Sequence, residues 1–287
     1  MIGHHTAPAD LPTPYPVQIP GRGTTNVWDS GPAFGNTPLV LLHGWNIDAP
    51  TNFGFAFSEL AQSRRVVMFD HHGHGNGVRT SAKFTLEDAA ADVVSVLDAL
   101  SIDRAIIVGY SMGGTIAQLV AREAPNRCEA LVLAATAATF CTRARERAMF
   151  ASFAIGARTM RRLPRRVRRA AFDRLSAAAC ANYPEWIRDA VQMANPAHLL
   201  EAGAALGKFD SREWAPTLDV PTALIVTIDD TVVPTRRQID LAQHVGPMFV
   251  DMVAADHALP VNNDKRYATA IASAANALED ARPRTFA

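Results

Sequence analysis

Cysteine is scarce in this chain of 287 residues, which has only Cys128, Cys141 and Cys180. An odd number with no CxxC spacing argues against both a disulfide framework and a zinc site. Each lies among Ala, Leu or Phe and reads as a small buried apolar residue. No apolar run reaches the roughly 18 residues that a membrane span needs. The first residues, MIGHHTAPADLPTPYP, lack both a basic head and an apolar stretch. They read as a proline-rich arm and not as a secretory signal, so the cytoplasm is the expected compartment. No nucleic-acid-binding motif or aromatic platform is present. Net charge is also absent, since 28 Lys and Arg balance 28 Asp and Glu.

That balance hides an uneven distribution. Residues 140–215 hold 14 Lys and Arg against 7 Asp and Glu, so the remainder is acidic by the same margin. Such asymmetry marks the middle segment as a separate unit.

On either side of it, short apolar runs alternate with amphipathic stretches. Pro38–Gly44, Arg65–Asp70, Arg104–Tyr110, Glu129–Ala134, Thr222–Thr227 and Met248–Val253 are runs of about five apolar residues, many of them β-branched, bounded by Gly, Pro or Asp. That is the pattern of strands buried on both faces. Helical spacing covers Leu86–Leu100, Met112–Ala124, Arg236–Val245 and Tyr267–Leu278. The alternation predicts an α/β fold, a mostly parallel sheet covered by helices on both faces. Residues 140–215 interrupt it with Ala, Arg and Leu and with breaks at Pro164, Pro184 and Pro196. The expected organisation is an arm over 1–22, a core over 23–139 and 216–287, and an inserted, arginine-rich helical lid over 140–215.

Gly109-Tyr-Ser-Met-Gly-Gly114 stands directly after one predicted strand and before one predicted helix. Strand, sharp turn and helix give this G-x-S-x-G its value, because the turn lifts Ser111 above the sheet. Backbone N–H groups at the helix start, notably that of Met112, can donate to an oxyanion. The loop Leu41-Leu-His-Gly-Trp45 follows an early strand, and the amide of Trp45 is the candidate second donor. Trp45 could equally be a pocket wall, and His43 is read as structural.

The HGW loop, Asp70-His-His-Gly-His-Gly75 and GYSMGG together resemble the α/β-hydrolase superfamily, in its lidded esterase-like branch. The resemblance covers nearly all of the chain after about residue 20. The family pattern at Asp70 is D-x-R-G-x-G, so His72 stands where that family has arginine. No second ligand cluster accompanies His71, His72 and His74, and no metal is expected.

The resemblance implies the chain order serine, acid, histidine. Both partners follow the basic segment, in Thr227-Ile-Asp-Asp-Thr-Val-Val-Pro234 and in Ala255-Asp-His-Ala258. Each falls at the carboxyl end of a predicted strand, where open parallel sheets bind ligands. The family places its acid four residues before a proline, which selects Asp230 over Asp229 and leaves Asp229 to shape the turn. His257 is then the base, and Asp256 stands where the family often has glycine. His4, His5, His198 and His244 lack the strand-end position that a base requires.

The implied activity is hydrolysis of a small carboxylic ester with an apolar part, through an acyl-enzyme on Ser111 and without any cofactor. Thioesterases, lactonases, peptidases, carbon–carbon bond hydrolases and cofactor-free haloperoxidases use the same triad. Epoxide hydrolases and haloalkane dehalogenases use an aspartate nucleophile, against which Ser111 argues. A ligand receptor that keeps a triad without turnover is the reading from another class. For the lid arginines three explanations compete: a solvated face, weak contact with an anionic membrane surface, or attraction to an acidic substrate such as an acyl-CoA thioester.

Overall fold

A computed structural model describes residues 6–32, 35–262 and 265–281. Strands β1 (Tyr15–Ile19), β2 (Gly23–Asp29), β3 (Leu39–Leu42), β4 (Val66–Phe69), β5 (Ala105–Tyr110), β6 (Cys128–Ala134), β7 (Thr222–Thr227) and β8 (Phe249–Val253) form one sheet. Their spatial order is β1-β2-β4-β3-β5-β6-β7-β8. The first two pairings are antiparallel and the rest are parallel.

All six strands expected from apolar runs are present, and their side chains alternate between two cores. Val40, Leu42, Val67 and Ile107 face α2 (Leu86–Ala99), α3 (Met112–Glu123) and α8 (Thr235–Val245). Leu39, Leu41, Val66, Ile106 and Val108 face α1 (Ala49–Leu60) and α9 (Lys265–Asp280). Period-two alternation inside an unbroken apolar run therefore feeds both layers of helices.

The N-terminal arm needs correction. Within residues 1–22, Tyr15–Ile19 forms strand β1, paired antiparallel with β2 through Val17↔Thr25. Its prolines concealed it. Pro16 and Pro20 flank alternating positions of which Val17 and Ile19 are buried, and proline is tolerated because β1 is an edge strand. Helix α1 was equally hidden, since its Thr, Asn and Gly residues are poor helix formers. It is set by Asp48 as N-cap, which accepts from the Thr51 N–H at 2.9 Å, and by proline in its first turn.

Between β6 and β7 lie α4 (Ala144–Arg162), α5 (Arg165–Ala179), α6 (Glu185–Met193) and α7 (Pro196–Leu206). Pro164 and Pro184 cap α5 and α6, and Pro196 opens α7, so all three prolines mark helix starts. The segment is tied to the core at several points. The Trp45 indole N–H donates to Leu199 O at 2.8 Å, and Asn195 N donates to Gly73 O at 2.7 Å. Arg237 pairs with Glu146 at 2.6 Å. The Arg161–Glu201 pair joins α4 to α7, while Glu201 also accepts from Phe84 N at 2.9 Å. No helix among the described residues is long and apolar enough to cross a membrane.

Under this region lies a layer of buried histidines. His43 Nε2 accepts from the His71 N–H at 2.9 Å, so His43 Nδ1 carries the proton and donates to Gly44 O at 2.8 Å. His43 is structural, as expected. The His71 ring lies 4.3 Å from that of His43, tilted by 42°, and among the described residues neither of its ring nitrogens has a hydrogen-bond partner. His72 stands 4.2 Å from the His198 ring of α7. An arginine from elsewhere, Arg22 of the β1–β2 turn, meets the side chain at position 72. Arg22 Nη2 lies 3.3 Å from His72 Nδ1 and pairs with Asp88 and Asp92 of α2. No group of three or more His, Cys, Asp or Glu among the described residues could hold a metal ion.

Burial lowers His71 and His72 to about 3 and His74 and His198 to about 4. His43 is also driven well down by burial. In the unfolded chain each would titrate near 6.5. Below about pH 6.5 the unfolded state takes up protons that the folded state refuses, so stability falls as pH falls from 6.5 toward 4. Asp70 and Asp92 act in the opposite sense. Burial, and for Asp70 the nearby Asp48, push them up to about 8 and about 7, and the histidines outnumber them. The melting temperature should therefore drop between pH 7 and pH 5. His71→Phe keeps the ring contacts and should make that slope shallower, recovering about 2 kcal/mol at pH 5. Equal slopes for both proteins in a pH series of thermal melts would refute this.

Candidate active site

The nucleophile candidate sits where β5 meets α3. Ser111 has φ 53° and ψ −114°, a conformation that L-residues rarely adopt. It persists because its surroundings over-determine it. Ser111 N donates to Ala134 O at 2.9 Å, and Ser111 O accepts from Gly114 N at 2.9 Å and Thr136 Oγ1 at 2.8 Å. The turn is tight enough that a Cβ on Gly113 would stand 1.8 Å from Leu42 O. Only glycine fits there.

Ser111, His257 and Asp230 are brought together from three strand ends. Ser111 Oγ lies 3.1 Å from His257 Nε2, and His257 Nδ1 lies 2.7 Å from Asp230 Oδ2. If Nδ1 carries the proton it donates to the carboxylate, leaving Nε2 to accept from the serine hydroxyl.

Of the adjacent aspartates, Asp230 is buried and faces the His257 ring, while Asp229 is exposed. Asp230 Oδ1 accepts from the N–H groups of Val232 and Val233, each at 2.8 Å. Its Oδ2 accepts from Thr227 Oγ1 at 2.8 Å as well as facing His257. Gln238 Nε2 stands 2.9 Å from Thr227 Oγ1 and holds that hydroxyl in turn. A carboxylate with every lone pair engaged is fixed in position.

The loop after β3 approaches from the other side. A Cβ on Gly44 would be 3.4 Å from Ser111 Cβ. Gly44 N is committed to Asn52 Oδ1 at 2.8 Å, and Asn46 turns the chain at φ 67°. Trp45 lines the cavity and also packs 5.2 Å from Phe153 of α4. Met112 opens α3, so its N–H belongs to the first turn, which has no carbonyl one turn back to bind.

Two supporting residues carried no recognisable signal in the sequence. Asn52 is fully buried and joins Gly44 to Tyr267 Oη at 3.3 Å. Tyr110 donates its hydroxyl to His257 O at 3.0 Å and so anchors the backbone of His257. Burial, with Asp230 and Asp256 nearby, raises Tyr110 well above the usual phenol range and keeps it a donor. Tyr110 lies inside the serine motif, but nothing in its spacing announces that contact.

Above Ser111 is a cavity of about 410 Å³. Its outer wall is apolar, with Tyr183, Ile187 and Val191 from the inserted segment opposite Val232, Pro260 and Val261. Asp256 lines it too, and its Oδ1 accepts from Ala258 N at 2.9 Å. Among the other candidate histidines, His198 and His244 stand elsewhere, while His4 and His5 lie outside the described residues.

A serine, an imidazole and a buried carboxylate at the carboxyl edge of this sheet define a class, and comparison with known proteins agrees. The profile of the alpha/beta hydrolase fold family matches residues 37–264, and the chain belongs to that family. It is 36% identical over 129 residues to the dihydrolipoyllysine-residue acetyltransferase component of an acetoin cleaving system from Pseudomonas putida, a match covering 45% of this chain and 34% of that protein. It is 29% identical over 232 residues to the pimeloyl-(acyl-carrier protein) methyl ester esterase of Sodalis glossinidius, covering 78% of this chain and 84% of that one. Among solved structures, the enol-lactonase from Burkholderia xenovorans LB400 superposes with a TM-score of 0.74 at 22% identity, over 91% of this chain and all of that one.

The two aspartates predict different kinetics. Asp230→Asn presents an amide that favours the wrong imidazole tautomer and should lower kcat on the order of 10⁴-fold. Asp229→Asn should change kcat little. A p-nitrophenyl ester assay of both variants checks the ranking, and the reverse order would move the acid to Asp229.

Proposed function

We propose that this chain is a serine hydrolase that cleaves carboxylic esters through an acyl-enzyme on Ser111, with His257 as base and Asp230 as its orienting acid. The observation that carries the reading is the path Ser111 Oγ–His257 Nε2–His257 Nδ1–Asp230 Oδ2, at 3.1 and 2.7 Å, which begins at a serine held at φ 53°.

In the first half-reaction Ser111 Oγ attacks the ester carbonyl while His257 Nε2 takes its proton. The oxyanion of the tetrahedral intermediate is stabilised by the N–H groups of Met112 and Trp45. Gly44 N is already occupied by Asn52, which leaves Trp45 as the next amide of that loop. Collapse expels the alcohol, which receives the proton from His257. Water then repeats the sequence against the acyl-enzyme and releases the acid. Asp230 holds the imidazole tautomer throughout and stabilises its charged form. The apolar cavity wall supports an ester with an apolar acyl or alcohol part, and the similarity to a methyl ester esterase supports ester chemistry. The helices over residues 144–206 act as the lid that shapes this cavity. Free cysteines support the cytoplasm as the compartment.

A fluorophosphonate probe should label the wild type and leave Ser111→Ala unlabelled. The same variant should fold normally and lose about 10⁶-fold in kcat. A panel of p-nitrophenyl esters from short to long acyl chains, beside a thioester and a lactone, ranks the substrate classes. Unlabelled wild type would favour a ligand receptor, and an active Ser111→Ala would displace the nucleophile.

A further inference from the structure

On the far side of α6 from the catalytic cavity is a second cleft, of about 240 Å³. Val191 lines the catalytic cavity, and Met193, two residues further on, lines the cleft. Four of its eight lining residues are arginines: Arg79 from the loop after β4, and Arg165, Arg168 and Arg169 from the first turns of α5. The other four, Met193–Pro196, carry no charge, so no carboxylate lines the cleft. A more open groove lined by Arg165, Arg166, Arg169, Ala170 and Asp173 adjoins it through the shared arginines.

This arrangement runs against ordinary helix electrostatics. The N-terminal end of a helix is its positive end, and basic side chains there are disfavoured. Helix α5 nevertheless begins Arg-Arg-Val-Arg-Arg, with no acidic residue in its first turn. Arg169 is balanced by Asp173 one turn on, at 2.8 Å. Arg165 and Arg168 have no ion pair among the described residues. A solvated face would spread such charges apart, whereas here they converge with Arg79, from the loop after β4, on one concavity.

Arg79 is held in place by backbone carbonyls. Its Nη2 donates to Gly75 O and to Met193 O, at 2.8 Å for the latter, which joins the β4 loop to the end of α6. Partial burial and the positive charge of Arg169 hold its guanidinium below the usual arginine range, with Asp70 acting the other way. The guanidinium is thus fixed by two carbonyls beside others of like charge, and no carboxylate lines the cleft it faces.

We propose that this cleft binds the phosphate of a phosphomonoester or diphosphate, with Arg79, Arg165 and Arg168 as its guanidinium donors and Arg169 adding charge. Planar guanidinium forks match phosphate oxygens in pairs, and a concave cleft suits a compact anion better than a flat lipid surface does. The site is independent of the reading of Ser111, since the two cavities share no lining residue.

Pyrophosphate is the probe, titrated into the full chain by calorimetry, with chloride at matched ionic strength as the control. Wild type and Ser111→Ala should bind it equally. Arg165→Gln with Arg168→Gln should weaken binding by at least about tenfold, the loss expected on removing charge-assisted contacts. Arg158→Gln with Arg162→Gln removes the same charge from α4, outside the cleft, and should bind as wild type does. Circular dichroism melts establish that both pairs are folded. Absence of pyrophosphate binding by the wild type would overturn the proposal, as would equal weakening in both pairs, which means net charge alone. Phosphatidylcholine vesicles containing phosphatidate separate the two sources of phosphate. Sedimentation with vesicles that pyrophosphate competes away puts a lipid phosphate in the same cleft and supports the site. Sedimentation that pyrophosphate leaves unchanged, with no calorimetric binding, assigns the arginines to a membrane surface and overturns it.

Discussion

Everything at the candidate site depends on one unfavourable backbone conformation, that of Ser111. A serine at φ 53° and ψ −114° costs on the order of 1–3 kcal/mol, and the chain retains it only because the neighbours leave no alternative. Leu42 O fills the space where Gly113 would carry a side chain, Ala134 O takes the serine N–H, and Thr136 returns a bond to the serine carbonyl. These three contacts come from β3, β6 and the loop after β6, so the sheet must be in register before the turn can exist. In exchange the hydroxyl stands clear of the sheet and beside the positive end of α3.

Asp230 and His257, the proposed acid and base, are held by different means. Asp230 is immobilised through its own oxygens, by two backbone N–H groups and the Thr227 hydroxyl. His257 is immobilised through its backbone, by the Tyr110 hydroxyl, and through its ring, by Asp230. Tyr110 also meets the Tyr267 ring at 5.6 Å, and Tyr267 reaches Asn52, which holds Gly44. The loop that approaches Ser111 and the loop that bears the base are thus supported by one buried aromatic and amide chain. Removal of any member would disturb both sides of the serine at once.

Much of this was legible in the amino-acid order because local chemistry and global fold agree there. Six buried strands announced themselves as apolar runs, and the serine turn as strand, glycine and helix in immediate succession. Asp230 and His257 were marked as candidates by strand-end position and by the chain order and proline offset that the family resemblance implies, and the fold brings both to Ser111. What stayed hidden lacks a local signature. Strand β1 alternates correctly, yet Pro16 and Pro20 make it read as an arm. Helix α1 is capped well but composed poorly. Asn52 reaches Tyr267 across 215 residues, and Arg22 reaches His72 across 50. Such contacts belong to the tertiary structure and leave no periodic trace.

The neck of the inserted segment has a consequence for how this chain can change over time. Strands β6 and β7 are adjacent and in register, Leu131 opposite Thr222, although four helices separate them along the chain. The two ends of that excursion are pinched together by an isolated bridge, Thr139 opposite Asp210, with Ser211 bonded to Ala138 O and to Gln118 of α3. Because entry and exit meet, the sheet closes without reference to what lies between. The excursion can lengthen, shorten or be exchanged while the strand ends that carry Ser111, Asp230 and His257 keep their spacing. Selection can therefore remodel the wall of the cavity, Tyr183, Ile187 and Val191, as a module separate from the chemistry beneath it.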